Sequence, residues 1–212
     1  MATTSGSLLA DPPSLVKPLW LYLRLVFLLD VLFVVVYGGL NWLTARRQDL
    51  RALYFDWETR IPFVPGMIYA YFSIIILFVV PLFVLDQRGM RRLARRIALA
   101  IVLSGAVFLL LPARLGFTRP AEVPGYQAVY ALLYAVDAPH NLMPSLHIAY
   151  SALIIASLRT PGAPGWIRAL LLGWLGLIAV AVVHVHQHHL ADVMGGFAVA
   201  WISWIATKEE DP

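Results

Sequence analysis

Long apolar stretches separated by short polar segments run along most of the chain. They lie at about 18–44, 64–85, 95–112, 145–158, 166–187 and 189–207. A helix needs about 20 consecutive apolar residues to cross the roughly 30 Å hydrocarbon core of a bilayer, and most of these stretches approach that length. The pattern therefore predicts an all-α, polytopic membrane protein with six transmembrane helices.

A further apolar run, at 126–136, is too short to cross a bilayer. We expect it to form an interfacial helix in the long loop between the third and fourth spans, with Tyr126, Tyr130 and Tyr134 as an aromatic belt at the headgroup level. Residues 1–14 show no hydrophobic period, and we expect a flexible, uncleaved N-terminal tail there. Residues 15–207 then form a single six-helix membrane domain, followed by a C-terminal tail at 208–212.

The composition places this domain in a membrane and not in water. Hydrophobic residues make up 60% of the chain and charged residues only 13%, which is about half of the roughly 25% found in soluble proteins. The net charge of +4 is small and the arginines flank apolar segments, so we expect contact with membrane lipids and not with nucleic acid. The absence of cysteine excludes disulfides, thiolate metal sites and thiol nucleophiles.

The distribution of positive charge predicts how the spans are oriented. The segment between the second and third spans holds five arginines: Arg88, Arg91, Arg92, Arg95 and Arg96. Short loops rich in Lys and Arg stay in the cytoplasm, so this segment and both termini are expected there. In a bacterium the protein would lie in the inner membrane. The loops 45–63 and 113–144 and the junction 187–189 would then share the extracytoplasmic side.

Three polar groups on that side suggest phosphate chemistry. On a continuous helix His184, His188 and Asp192 would be one turn apart on one face, and a carboxylate beside an imidazole raises its nucleophilicity. Pro144 suits the first turn of a helix, whose free N–H groups at Ser145 and Leu146 would bind an anion, and His147 follows within one turn. Arg114 and Arg119 offer forked donors for phosphate oxygens.

Together these groups suit phosphoryl transfer through a phosphohistidine. They supply a nucleophilic histidine backed by a carboxylate, a second histidine at an anion-binding helix start, and two arginines. Ser145, Leu146, Arg114 and Arg119 would hold the phosphate oxygens. Because arginines and helix N–H groups hold the charge, we expect neither a metal ion nor another cofactor.

The same residues carry a family resemblance. The stretch Pro144-Ser145-Leu146-His147, followed about forty residues later by His188 and Asp192, resembles the second and third signature motifs of the type-2 phosphatidic acid phosphatase superfamily. Arg119-Pro120 is similar to the end of its first motif. The resemblance implies a six-helix core and a phosphorylated lipid substrate. It also implies that His188 attacks phosphorus, that Asp192 orients His188, and that His147 protonates the leaving oxygen.

Departures from the family pattern indicate a branch within it. Pro112 stands where the first motif has lysine, so Arg114 is the substitute we predict, and Leu146 stands where the second motif has glycine. Ala181 and Val182 replace the Ser-Arg pair that opens the third motif. These departures, with Asp56 and the segment 61–65, resemble the branch of inositol phosphorylceramide and sphingomyelin synthases. That branch transfers the phosphoryl group to an alcohol, whereas a phosphatase uses water.

Other interpretations of these residues remain open at the level of sequence. His184, His188 and Asp192 have donor types that bind metal ions, and interfacial histidines also occur for purely structural reasons. Asp30 lies near the middle of the first span, paired with Arg24 or protonated. A transporter or proton-relay protein could use Asp30 together with the histidines, and a non-catalytic scaffold could keep the fold alone. His140, His186 and His189 have no matched role and are expected at the interface.

Overall fold

A computed structural model of the protein describes residues 16–136, 139–159 and 162–208. The regular secondary structure of the described residues is helical, apart from an isolated bridge between Arg51 and Ala113. This agrees with the predicted all-α class. The predicted N-terminal tail and the end of the C-terminal tail lie outside the described residues.

Ten α-helices make up this part of the chain. They are α1 (Val16–Phe33), α2 (Gly39–Thr44), α3 (Ile68–Phe72), α4 (Ile74–Val79), α5 (Pro81–Val84), α6 (Gln87–Leu110), α7 (Gln127–Val136), α8 (Leu146–Leu158), α9 (Gly165–His184) and α10 (Leu190–Ala206). A π-helical segment, Val34–Gly38, joins α1 to α2. The 3₁₀ helix Pro65–Met67 leads into α3, and another one covers Asp56–Arg60.

Four helical segments are long and apolar enough to cross a membrane: Pro18–Thr44, Pro65–Val84, Gln87–Leu110 and Gly165–His184. They match the first, second, third and fifth predicted spans. The other two, α8 with 13 residues and α10 with 17, are apolar but extend only about 20 Å and 26 Å. These lengths fall short of the full hydrocarbon thickness, so length alone identifies four spans.

The third predicted span, which is α6, begins earlier than the sequence predicts. The Asp86 carboxylate caps it by accepting a hydrogen bond from the Gly89 N–H at 2.7 Å, and the helix continues from Gln87 through the whole arginine segment. The expected loop at 88–96 is therefore helical, and the prediction of a loop was wrong. Arg96 is buried, with its guanidinium 3.4 Å from the centre of the Trp204 ring, and this contact ties α6 to α10.

Helix α8 lies at the centre of the bundle. It packs against α4, α6, α9 and α10, and most of its side chains are buried on all sides. A helix that is apolar all round belongs inside a protein or membrane, and its sequence LHIAYSALIIASL fits that position. The first turn of α8, which carries His147, is therefore held by the core.

The polar loops gather at one end of the bundle. The Arg51 N–H donates to the Pro112 carbonyl at 2.8 Å and joins the loop after α2 to the loop after α6. The Val64 N–H donates to the His184 carbonyl at 2.9 Å and joins the start of the second segment to the end of α9. Loops that are distant in sequence thus meet where the candidate residues lie.

The short helix predicted near 126–136 is present as α7, but its tyrosines do not form an outward belt. Tyr130 is only 1% exposed, and its hydroxyl donates to the Pro65 carbonyl at 3.1 Å. The Tyr126 hydroxyl lies beside Gly66, and the Tyr134 ring lies 5.0 Å from the Arg119 guanidinium. The three tyrosines face the protein because α7 covers the loop 61–67 and Arg119.

Candidate active site

The histidine segment forms a tight turn and not a helix. α9 ends at His184 and α10 begins at Leu190, with His186 between them in the left-handed region at φ 56°. The N–H groups of Gln187 and His188 both donate to the Val182 carbonyl at 3.1 Å, which folds the turn back onto the end of α9. The predicted common helix face of His184, His188 and Asp192 was therefore wrong.

His188 and Asp192 nevertheless come together. The His188 Nδ1 lies 3.5 Å from the Asp192 Oδ2, and the two side chains are only 9% and 2% exposed. This separation allows an electrostatic contact and is long for a direct hydrogen bond. Because Nδ1 faces the carboxylate, the neutral imidazole is expected to carry its proton there and to keep a lone pair on Nε2.

Backbone contacts hold Asp192 in place. Its Oδ2 accepts a hydrogen bond from the His189 N–H at 2.7 Å, as expected for a carboxylate in the first turn of α10. Its carbonyl accepts a hydrogen bond from the Ser145 N–H at 2.9 Å. This second contact fixes the start of α10 against the start of α8, and it brings the two predicted motifs together.

The start of α8 differs in detail from the prediction. The helix begins at Leu146 with Ser145 as its N-cap, and Pro144 precedes the cap instead of occupying the first turn. The Ser145 N–H is already bonded to Asp192, so it is not available to the phosphate oxygens we assigned to it. The Leu146 N–H finds no acceptor among the described residues and remains the donor at this helix start.

His147 is oriented by Tyr71. Its Nε2 lies 2.8 Å from the Tyr71 carbonyl, and the two rings stack with their centres 4.1 Å apart. A carbonyl only accepts hydrogen bonds, so Nε2 carries a proton. The ring nitrogen left to exchange a proton with a substrate is Nδ1.

The two arginines lie in different environments. The Arg119 Nη2 donates to the Gln187 Oε1 at 2.7 Å, which places this cation beside the residue that precedes His188. Arg114 is exposed, and its only described contact is the backbone bond from its N–H to the Arg51 carbonyl at 2.9 Å. The structure thus brings Arg119 to the histidine turn and leaves the side chain of Arg114 at the surface.

Glu58 is a buried carboxylate that sequence reasoning missed. It is 0% exposed, accepts hydrogen bonds from the Phe55 N–H at 3.0 Å and the Leu190 N–H at 2.9 Å, and lies 3.3 Å from the His189 Nδ1. His189, also expected at the interface, is instead 2% exposed, and its Nε2 accepts from the Gly116 N–H at 3.0 Å. The sequence gives no sign of this pairing, since Glu58 stands in a polar loop with no motif around it.

Aromatic and histidine rings stack into a column behind the turn. The Phe117 ring lies between His186 and His189, with ring centres 4.0 Å and 4.2 Å away, and Tyr54 covers the far side of His189 at 4.4 Å. Gly116 is required here, because a Cβ atom at this position would overlap the Tyr54 ring. Burial lowers the pKa of both His186 and His189 below the ordinary value of 6.5.

His184 also has a structural contact, with its Nδ1 3.0 Å from the Pro62 carbonyl, and the His186 Nε2 lies 2.9 Å from the Ile61 carbonyl. These two histidines therefore bind the loop before the second segment. Among residues 16–136, 139–159 and 162–208, no three His, Asp or Glu side chains are grouped so as to hold a metal ion. The alternative metal site on His184, His188 and Asp192 does not fit this geometry.

A cavity of about 810 Å³ opens beside the candidate residues. His147 and His188 both line it. The rest of its wall comes mainly from apolar side chains of α1, α3, α4, α6 and α8. The arrangement thus offers a free imidazole nitrogen, a second proton-transferring imidazole and a large apolar space in one place.

Comparison with known proteins agrees with this geometry. The family model of the PAP2 superfamily matches residues 39–206, which include the candidate residues His147, His188 and Asp192. Curated proteins include no significant match to this sequence. The family match covers most of the chain, and the protein therefore belongs to the PAP2 superfamily.

Proposed function

We propose that the protein is an integral-membrane lipid phosphatase or phosphotransferase that works through a phosphohistidine. Membership of the PAP2 superfamily indicates a membrane enzyme of the phosphatase type. The observation that carries the finer proposal is the meeting of His147 and His188 at one cavity, with Asp192 in contact with His188 behind it. A nucleophile, its orienting carboxylate and a proton donor are the groups that covalent phosphoryl transfer requires.

In the proposed reaction the Nε2 of His188 attacks phosphorus in line with the leaving oxygen. A P–N bond forms as the bond from phosphorus to the lipid oxygen breaks, and Asp192 stabilises the imidazolium. A protonated His147 donates its Nδ1 proton to the departing alkoxide. The neutral His147 then takes a proton from water or from an alcohol, whose oxygen attacks phosphorus and releases His188.

Arg119 and the Leu146 N–H are the groups best placed to hold the phosphate oxygens. Arg119 is joined to the histidine turn through Gln187, and the Leu146 N–H lies at the positive end of α8. Arg114 would need to turn inward from the surface to take part. These cationic and N–H donors would offset the charge that develops on the equatorial oxygens.

We also propose six spans, with both termini in the cytoplasm and the active site on the extracytoplasmic side. The gathering of helix ends supports this arrangement, since the ends of α6 and α9 meet the starts of α8 and α10. A substrate with acyl chains would enter from the bilayer and place its phosphate at the water surface. Membrane lipids are thus the expected surroundings of the site, with no role for nucleic acid.

The test is turnover by purified protein of phosphatidate, an isoprenyl diphosphate and a phosphoinositide, with and without added alcohols. Release of inorganic phosphate indicates a phosphatase, and a new phosphodiester indicates a transferase of the synthase-like branch. We expect His188→Ala to lose about 10⁴-fold or more of the activity. His140→Gln is the matched control because His140 does not line the cavity, and it should retain activity within a few-fold.

Two results would overturn the proposal. If His188→Ala turned over the substrate at the wild-type rate, His188 would not be the nucleophile. If a chelator abolished the activity and a divalent metal restored it, the metal-independent mechanism would fail. Rapid acid-free quenching of the wild-type reaction with ³²P-labelled substrate should leave label on the protein, and none on His188→Ala.

A further inference from the structure

Gln187 is a buried polar residue to which the proposed reaction gives no role of its own. It precedes His188 in the histidine turn, is only 1% exposed and does not line the cavity. Burying an amide is costly unless its donors and its acceptor find partners. The contacts of this side chain therefore indicate what it does.

The amide of Gln187 is held in one orientation. Its Oε1 accepts a hydrogen bond from the Arg119 Nη2 at 2.7 Å, and its Nε2 donates to the Val185 and His186 carbonyls at 3.3 Å and 3.4 Å. A guanidinium only donates hydrogen bonds and a carbonyl only accepts them. The reversed amide would set donor against donor and acceptor against acceptor, so the oxygen must face Arg119.

The turn that carries Gln187 is fixed to the end of α9. The N–H groups of Gln187 and His188 both donate to the Val182 carbonyl at 3.1 Å. The His188 side chain lines the cavity, whereas the Gln187 side chain reaches the loop after α6, where Arg119 lies. Two adjacent residues of one short turn thus connect the candidate nucleophile to the arginine.

A neutral acceptor can orient an arginine without cancelling its charge. A guanidinium that is already held in place loses less conformational freedom when it binds a ligand. A carboxylate at position 187 would also hold Arg119, but its negative charge would offset the positive charge that attracts phosphate. The amide of Gln187 supplies the orientation and leaves the charge.

We propose that Gln187 is a positioning residue that orients the Arg119 guanidinium toward the phosphate of the substrate. The proposal deepens the proposed function and rests on it, because it takes Arg119 as a phosphate-binding group. Gln187 does not touch the substrate, and its effect passes through the guanidinium. Removing the amide should therefore weaken phosphate binding only while Arg119 is present.

The test is a double-mutant cycle on Gln187 and Arg119, with the binding of inorganic phosphate to the purified protein followed by ³¹P NMR. Gln187→Met keeps the length of the side chain and removes the acceptor. We expect it to raise the dissociation constant about tenfold, and Arg119→Ala to raise it at least as much. In the Arg119→Ala background, Gln187→Met should change the constant by less than about twofold. With a lipid substrate, Gln187→Met should raise KM more than it lowers kcat.

Gln127→Met is the matched control. The Gln127 Oε1 accepts from the Val123 N–H at 2.8 Å and its Nε2 donates to the Ala121 carbonyl at 3.3 Å, so the same substitution breaks backbone contacts without releasing an arginine. It should leave the phosphate dissociation constant within about twofold of the wild type.

Gln187→Glu is a second variant that keeps the size of the side chain and an acceptor oxygen, and it serves if Gln187→Met does not fold. We expect it to weaken phosphate binding at least as much as Gln187→Met, because its carboxylate offsets the charge of Arg119. Wild-type phosphate affinity in Gln187→Glu would overturn the proposal.

Two other results would also overturn it. An equal loss of affinity from Gln187→Met with and without Arg119 would make Gln187 a support of the turn alone. Wild-type phosphate affinity in Arg119→Ala would remove the group through which Gln187 acts.

Turnover by His188→Ala separates this proposal from the proposed function. Loss of turnover in His188→Ala, together with additive effects of Gln187→Met and Arg119→Ala, would support the reaction and overturn the positioning role. Non-additive effects on phosphate binding, together with wild-type turnover by His188→Ala, would support the positioning role and contradict the phosphohistidine.

Discussion

Glu58 is fully buried, and it belongs to none of the predicted motifs. Its Oε1 accepts a hydrogen bond from the Phe55 N–H, and its Oε2 accepts one from the Leu190 N–H. The Oε2 also faces the His189 ring. Leu190 begins α10, which carries Asp192, and His188 is two residues before it. A single carboxylate therefore joins the loop before the second segment to the C-terminal end of the histidine turn.

Removing this carboxylate should loosen the turn. In Glu58→Ala two part-buried N–H donors lose their acceptor, and we expect the free energy of unfolding to fall by about 2–4 kcal/mol. Glu58→Gln keeps one carbonyl oxygen and should lose less than half of that. The measurement is the thermal unfolding of detergent-solubilised protein, with the exposed Thr59→Ala as control. Equal stability of Glu58→Ala and the wild type would contradict this role.

The buried histidines also predict how stability depends on pH. Burial lowers the pKa of His186 and His189 in the folded protein below the ordinary value of 6.5, which the unfolded chain keeps. The unfolded state therefore binds more protons below about pH 6.5. Stability should be greatest above that pH and should fall steadily as the pH is lowered from 6.5 to 5.

His186→Asn tests this dependence. Asparagine tolerates the left-handed backbone at this position and does not titrate. The slope of the unfolding midpoint against pH should be shallower in the variant than in the wild type between pH 6.5 and 5. A wild-type midpoint that stayed constant over this range would show that the buried histidines do not control stability.

At the scale of elements, a close crossing of α8 and α10 positions the motifs. Gly196 makes it possible, because a Cβ atom there would lie 2.6 Å from the Ser145 carbonyl oxygen and 2.9 Å from the Ile148 Cβ. A glycine at this position thus permits the close packing of the two helices. The crossing lies beside the bond from Ser145 to Asp192.

Gly196→Ala should therefore separate the two helices. We expect it to lower the free energy of unfolding by about 1–3 kcal/mol, as overpacking does, and to reduce turnover because Asp192 moves relative to α8. Gly173→Ala on α9 is the matched control, since a Cβ atom there meets nothing within 4 Å. It should be neutral or stabilising by up to about 1 kcal/mol. The same unfolding assay would contradict the argument if both variants behaved alike.

The elements also explain which parts of the site the sequence could predict. His147, His188 and Asp192 were predicted from residue type and order, which do not depend on the path of the chain between them. The predicted helix face shared by His184, His188 and Asp192 was wrong. Residues four apart share a face only on a continuous helix, and here the turn at 185–189 interrupts it. The contact of Glu58 with Leu190 joins residues 132 positions apart, so only the folded structure could reveal it.

At the scale of the whole molecule, hydropathy predicted the long segments well and the short ones less clearly. Helices such as Gly165–His184 follow from a mainly apolar stretch of twenty residues, which is the length that a bilayer requires. α8 is shorter because protein surrounds it on every side, so it has no need to match the full thickness of the lipid. Its role in crossing the membrane depends on how its neighbours are connected.

The order in which α8, α9 and α10 are connected predicts on which side of the membrane each loop lies. α9 ends beside Val64, at the end of the bundle where α8 and α10 begin. If α9 crosses, α8 must return the chain to the other side, and α10 must do so again. Exposed sites at Thr59 and Gln87 should therefore lie on opposite sides, with Lys208 on the side of Gln87.

The sequence has no cysteine, so single substitutions can be labelled without background. In intact cells a membrane-impermeant maleimide should label Thr59→Cys. It should label Gln87→Cys and Lys208→Cys only after the membrane is permeabilised. A protein with four crossings made by the long helices alone would place the end of α9 away from Val64, against their hydrogen bond of 2.9 Å. External labelling of Lys208→Cys would contradict the six-span arrangement, and external labelling of Gln87→Cys would contradict its orientation.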